Sequence, residues 1–225
     1  MTDEPTPDEV AAGHAFYTRR SLRVYDPMIL GFFSRVAWKC PARRVLDHYD
    51  RHVSANHLDI GPGTGYFLDR CRFPVERPRV ALLDPNGACL EAAAARLTRY
   101  GPERVEASVL EPFAAPGPPF ESVGLNYLLH CLPGTIRTKA VVFKHIRAVA
   151  APGATVFGGT LLSDGVPRNW YARQVMARNN RVGIFSNAHD DLAGLRAVLD
   201  EHLDEPTVEV VGCVALFAGR VPAPA

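Results

Sequence analysis

The sequence predicts an α/β fold: a doubly wound, mostly parallel seven-stranded sheet that ends in an antiparallel hairpin and is preceded by N-terminal helices. Three observations carry that prediction. From residue 57 onward, short apolar runs alternate with longer segments of helical periodicity, as parallel strands joined by crossover helices require. The first run ends in a glycine-rich turn that opens directly into a helical segment. Near the end, two strand-like runs are separated by Gly212 alone. They cannot be parallel neighbours, because a parallel crossover takes a dozen or more residues.

Taken in order, residues 1–10 are charged and twice interrupted by proline, which predicts a tail. Across residues 9–52, Phe16, Leu22, Leu30, Phe33, Val36, Val45 and Leu46 recur at mixed threes and fours, so this region is helical. Its breaks fall at Asp26-Pro27 and Cys40-Pro41, where the proline ring disfavours helix in the residue before it. The chain is therefore divided into a tail and helical lid or cap, residues 1–53, and an alternating domain, residues 54–225. In that domain, strands are expected at 57–60, 80–84, 104–110, 122–129 and 154–162, then at 207–211 and 213–218. Helices are expected at 87–100, at 135–151 with Pro152-Gly153 ending it, and at 168–180 and 190–203 around the loop 181–189.

Composition narrows the function classes. With 47% apolar and 22% charged residues in 225, the chain is globular and short enough for one main core. The 25 basic residues are balanced by 24 acidic ones, for a net charge of +1, which argues against nucleic-acid binding through broad charge. No apolar stretch approaches the roughly 20 residues that span a bilayer, so no membrane association is expected. The opening residues MTDEPTPDEV are acidic and do not look like a secretory signal. Five cysteines without a C-x-x-C pair read as reduced thiols, hence a cytoplasmic protein.

Two constellations carry chemistry. Asp59-Ile60-Gly61-Pro62-Gly63-Thr64-Gly65 lies between a strand and a helix, where glycines let a ligand approach the backbone closely. The spacing is G-x-G-x-G, not the G-x-G-x-x-G of dinucleotide sites, and the acid at Asp59 suits a cationic ligand group better than a pyrophosphate. Asp84 ends the second strand, roughly twenty residues beyond the first glycine, where an acid takes ribose hydroxyls in such folds. A carboxylate can accept hydrogen bonds from both hydroxyls of a cis-diol.

As a set, Asp59-x-Gly61-x-Gly63-x-Gly65, Asp84, the turn Ala107-Ser108-Val109-Leu110 and the strand Val123-Gly124-Leu125-Asn126-Tyr127-Leu128 resemble the successive cofactor motifs of class I S-adenosylmethionine-dependent methyltransferases. The terminal hairpin is similar to that family's reversed seventh strand. The resemblance covers about residues 55–220 and implies a Rossmann-like domain. It implies S-adenosylmethionine as cofactor, with S-adenosylhomocysteine as product. It implies Asp59, Gly61, Gly63 and Gly65 toward the methionine end, Asp84 on the ribose, Ser108 with Val109 around the adenine, and Asn126 after the fourth strand, beside the methyl. Many members carry Asp where Ser108 stands; a serine can still accept a bond from the adenine amine. Tyr17 and Tyr25 resemble aromatic residues that many members fold over the sulfonium.

On the acceptor side, His130 follows the fourth strand, where it either deprotonates the acceptor as a base or caps the loop. Tyr127, Trp170, Tyr171 and Phe185 are candidate substrate residues, with core packing as the other reading. His48 and His52 stand four apart, but Arg51 intervenes and His57 begins an apolar strand, so no metal site is expected. The expected function is methyl transfer to an O, N or C nucleophile of a small molecule, in specialised metabolism, by a monomer or homodimer. Two alternatives stand beside it: a family member that binds the cofactor without transferring methyl, and an NAD-dependent reductase.

Overall fold

In the computed structural model, residues 31–223 are described. Tyr17 and Tyr25, with most of the region expected to form a lid, lie outside the described residues. The seven strands are β1 (Asn56–Ile60), β2 (Arg79–Leu83), β3 (Glu103–Val105), β4 (Phe120–Asn126), β5 (Ala150–Leu161), β6 (Asp204–Val211) and β7 (Val214–Arg220). They form one sheet in the order β3-β2-β1-β4-β5-β7-β6. Every neighbouring pair is parallel except those of β7, which runs antiparallel to β5 and to β6. Among the described residues, the helices of five residues or more are α1 (Ala42–His52), α2 (Tyr66–Arg70), α3 (Gly87–Arg96), α4 (Val141–Val149), α5 (Trp170–Arg181) and α6 (Leu192–His202).

Alternation along the strands divides the core between the two faces of the sheet. Leu58, Ile60, Val123 and Leu125 pack with Val142 and Ile146 of α4 and Leu195 and Leu199 of α6. On the opposite face, Val80, Leu82, Phe157 and Leu216 pack with Val45 and Tyr49 of α1, Leu68 of α2, Ala93 of α3 and Met176 of α5. Residues 37–49 thus belong to the buried core, through Ala37, Trp38, Cys40, Val45 and Tyr49. Local chemistry starts the helices where it should: Asn86, Asn169 and Asp191 each accept a backbone N–H of the first turn of α3, α5 and α6, at 3.0, 2.7 and 2.7 Å.

Three of the differences from the expected boundaries have a visible reason. β3 stops at Val105, because the chain then turns and the Ser108 hydroxyl accepts the Leu110 N–H at 3.2 Å. β4 stops at Asn126, and Tyr127 takes a left-handed φ of 58° that ends the ladder. Pro152-Gly153 does not terminate a helix. α4 ends at Val149, and the dipeptide forms a bulge inside β5, where Gly153 at φ 76° donates to Val221 O at 2.9 Å.

The β6–β7 turn clamps the chain ahead of α1. Cys213 N–H donates to the Trp38 carbonyl at 3.0 Å, and Gly212 beside it has φ 60°. A Cβ on Gly212 would overlap that carbonyl oxygen and the Lys39 side chain. Gly212→Ala therefore forces both left-handed strain and a displaced backbone, at a cost of about 2 kcal/mol or more. The thermal midpoint is expected to fall by about 5 °C or more in calorimetry; an unchanged midpoint would show that the two segments are not clamped.

Candidate active site

The strand order places a crevice above the carboxyl ends of β1 and β4, inside the sheet. β1 leads outward through β2 to β3, whereas β4 lies on the other side of β1 and leads to β5. At such a switch point the connections diverge above the carboxyl ends of the strands and leave room for a ligand. A cavity occupies that place, lined by the ends of β1, β2 and β4 and the turns that follow them.

The glycine turn forms its floor. Gly61, Gly63 and Gly65 all have left-handed φ, 68°, 55° and 72°, which side chains with a Cβ adopt with strain. Their surroundings differ. A Cβ on Gly61 would press on the Leu128 side chain at 3.0 Å, and one on Gly65 on the Ala93 backbone at 3.2 Å. A Cβ on Gly63 would meet nothing within 4 Å. Gly61 and Gly63 line the cavity, while Gly65 lets α2 approach α3.

Asp84, Ser108, Val109, Asn126 and Tyr127 complete the predicted set on the cavity wall. Asp84 is 8% exposed and accepts the Asn86 N–H at 2.8 Å, and no described cation pairs with it. Burial raises its carboxyl to about 6, against the smaller opposing effect of that N–H. The turn carrying Ser108 and Val109 is held from behind by His145 of α4, whose Nδ1 donates to the Val109 carbonyl at 2.9 Å. Asn126 is buried, and neither the oxygen nor the nitrogen of its side-chain amide completes a hydrogen bond among the described residues.

Asp59 does not line the cavity. Its carboxylate lies below the floor, where the Tyr49 hydroxyl donates to Oδ2 at 2.8 Å and His57 Nε2 stands 3.3 Å from the same oxygen. His57 Nδ1 continues to the Ser122 hydroxyl at 2.8 Å. Tyr49 does reach the wall, as do Tyr66, Phe67, Cys89, Leu128 and Leu132. Sequence reasoning missed these residues. Only the i, i+4 pairing of Val45 with Tyr49 on the buried stripe of α1 could have signalled the first of them.

His130 is absent from the wall. It is 3% exposed, meets the Phe185 ring edge-on at 4.7 Å, and is driven down to about 3 by burial and then by the nearby Lys139 charge. A base role is not what the structure gives it. Its carbonyl accepts the Ser186 N–H at 2.8 Å, which docks the 181–189 loop. Lys139 fastens that loop too, pairing with Asp190 at 2.5 Å and donating to Ser186 O at 2.6 Å. Trp170 is 70% exposed, Tyr171 stacks on Phe33 at 6.1 Å, and Phe185 packs on Trp38 at 6.2 Å. None of these three residues lines the cavity. Among the described residues, no group of three or more His, Cys, Asp or Glu could hold a metal ion.

Comparison with known proteins bears on this arrangement. The family model described as a methyltransferase domain matches residues 58–156. Demethylluteothin O-methyltransferase of Streptomyces thioluteus is 39% identical, covering 96% of this chain and 94% of that protein. The physcion biosynthesis cluster O-methyltransferase of Aspergillus chevalieri is 33% identical over 96% of this chain and 97% of its own. Among solved structures, the DhpI–SAH complex aligns with a TM-score of 0.70 at 16% identity, covering 98% of this chain and all of that one, a likeness of fold.

Asp84 generates a stability prediction. Its folded pKa of about 6 lies above the ordinary carboxyl value, so the folded state disfavours the charged form. The penalty is absent below about pH 4, grows between pH 4 and 6, and is complete above that. Asp84→Asn is expected to stabilise the ligand-free protein by about 1–3 kcal/mol at pH 8 and by nothing near pH 4 in urea titrations. A gain independent of pH would mean that the buried charge is not its source.

Proposed function

The chain belongs to the class I S-adenosylmethionine-dependent methyltransferases, and on that premise we propose that it methylates a hydroxyl oxygen of a small, largely apolar acceptor. The methyl donor is S-adenosylmethionine. The observation that carries the placement is Asp84, a buried carboxyl at the end of β2 that has no cation partner among the described residues and faces the cavity across from the glycine turn.

The residues present fit this cofactor. Asp84 has acceptor capacity left for both ribose hydroxyls, and Ser108 with Val109 flanks the space beyond it for the adenine. Gly63 leaves the floor open, and strand order sets the direction of the rest. With adenine at the β3 turn and ribose at β2, the methionine portion runs over β1 toward Asn126 on β4. The glycines admit it, and Asp59 with Tyr49 supports the floor there. When bound, S-adenosylmethionine supplies a methyl group on a sulfonium, already activated for in-line displacement.

The chain's own contribution is therefore position and exclusion of water. Tyr66, Phe67, Tyr127, Leu128 and Leu132 give the cavity an apolar and aromatic wall that suits a flat acceptor. His130 is buried off that wall, so among the described residues no histidine faces the acceptor, which favours a phenol or enol, acidic enough to lose its proton to solvent. The O-methyltransferase relatives support oxygen as the accepting atom, and the enzyme's place is in specialised metabolism. Family membership removes the reductase alternative. The near balance of charge supports a small acceptor over nucleic acid. Five free cysteines support a cytoplasmic enzyme, and among the described residues no helix is long and apolar enough to cross a membrane.

Incubation with methyl-labelled S-adenosylmethionine and a series of phenols and enols tests the reading. O-Methylated product in step with S-adenosylhomocysteine is expected, from the more acidic acceptors first. Cofactor binding without transfer to any hydroxyl would favour the non-transferring alternative. For the ribose contact, Asp84→Ala is expected to weaken S-adenosylhomocysteine binding by about 1.5–3 kcal/mol in calorimetry. Because the bound form uses the carboxylate and the free carboxyl titrates at about 6, wild-type affinity should fall as pH drops through 6. An affinity that is flat in pH and unchanged in Asp84→Ala would take Asp84 out of the site.

A further inference from the structure

We propose that Asn126, at the end of β4, is a catalytic residue on the acceptor side: its amide N–H donates to the acceptor's hydroxyl oxygen, holds that oxygen beside the methyl and favours its ionised form. The proposal rests on the methyl-transfer reading above and deepens it by naming the group that meets the acceptor. Asn126 lines the cavity and is 7% exposed, and neither atom of its amide completes a hydrogen bond among the described residues. An amide offers two N–H donors and an oxygen with two lone pairs, and a buried one is costly to leave unpaired. A side chain so placed is ready for a polar group that arrives in the cavity.

The neighbouring strands fix how the amide lies. Asn126 stands opposite Gly159 of β5, and a Cβ on Gly159 would come within 3.3 Å of Oδ1 and 2.9 Å of the Leu216 side chain. Glycine at 159 therefore leaves the room that the amide occupies. With Oδ1 over β5, Nδ2 lies on the other side of the amide carbon, toward β1 and the crevice. Tyr127, Leu128, Cys131 and Leu132 continue the same wall. Among the described residues that wall carries no histidine, lysine or arginine, and its charged side chain is Asp84, on β2. Tyr49 cannot serve instead, because its proton is committed to Asp59 at 2.8 Å.

The partner of Nδ2 must accept a hydrogen bond close to the methyl. A cationic sulfonium or ammonium does not, whereas the acceptor oxygen does, and more strongly once it is anionic. The phenol gives its proton to solvent, an oxygen electron pair forms the bond to the methyl carbon, and the carbon–sulfur pair returns to sulfur. An N–H fixed beside that oxygen favours phenolate over phenol before the methyl moves.

Asn126→Leu keeps the approximate volume and removes the donor. Phenol and its fluorinated derivatives serve as acceptors, since they differ in acidity with little change in size. The pH profile of kcat reports the ionisation of the bound acceptor, and its midpoint is expected to move up by about one unit in the variant, a tenfold change. At neutral pH the loss in kcat/KM should be about tenfold or more with phenol and smaller with pentafluorophenol, which ionises readily in solution. Affinity for S-adenosylhomocysteine in calorimetry should change by less than about twofold. A kcat profile that does not move, or an S-adenosylhomocysteine affinity that falls about tenfold, would overturn the proposal, and the second result would place the amide on the amino-acid tail. If Asn126→Leu does not fold, Asn126→Asp also removes the donor and carries the same comparison, with the same results deciding. Wild-type protein that methylates none of these phenols would instead overturn the hydroxyl reading on which the proposal stands.

Discussion

The adjacency of β1 and β4 is the constraint on which the rest of this molecule depends. The chain leaves β1 toward one edge of the sheet and later returns to build the other half from β4, so no connection covers the ground above their carboxyl ends. The glycine turn after β1 and the left-handed Tyr127 after β4 line that ground. Gly61 N–H donates to the Leu83 carbonyl at 2.8 Å, which binds the floor to the neighbouring β2. The crevice thus follows from topology, and the side chains give it chemistry.

Which polar groups are structural and which await a ligand can be told from how each is satisfied. Asp59 is buried, and its Oδ2 is engaged by both Tyr49 and His57. Lys139 is buried and engaged by Asp190 and the Ser186 carbonyl, in an arrangement that fastens a loop. Asp84 is buried to a similar degree, yet among the described residues a single backbone N–H is the hydrogen bond made to its carboxylate. A group that lowers the stability of the empty fold is retained where a bound molecule compensates for it. Asn126, beside the same cavity and short of regular partners, follows the same logic.

Much of this was legible in the residues, and the exceptions have physical causes. The reversed β7 followed from the single residue between two strands, and Asp84 from its place at a strand end. The glycine turn was legible as a turn, but not the separate duties of its members: Gly65 is set by helix packing on Ala93, a contact across tens of residues. His130 lies close to the cavity in sequence, but the short turn Leu129–Cys131 buries it against Phe185. Trp170 looked like a pocket residue because it is large and apolar, and the first turn of α5 leaves it on the surface. The bulge at Gly153 was hidden because Pro-Gly also ends helices, and only pairing with Val221 decides between the two. Tyr49 was hidden for a simpler reason. On the sequence it is one apolar position of an amphipathic helix, and its hydroxyl acquires meaning only when β1 places Asp59 beneath it.

The account stands or falls on where the nucleoside sits. A crystal structure of the protein with S-adenosylhomocysteine measures that directly. The expected result is both ribose hydroxyls within hydrogen-bond distance of the Asp84 carboxylate, the adenine against Val109, and the amino-acid tail over the glycine turn toward Asn126. A nucleoside bound elsewhere, or one bound in this crevice with its ribose turned away from Asp84, would contradict it.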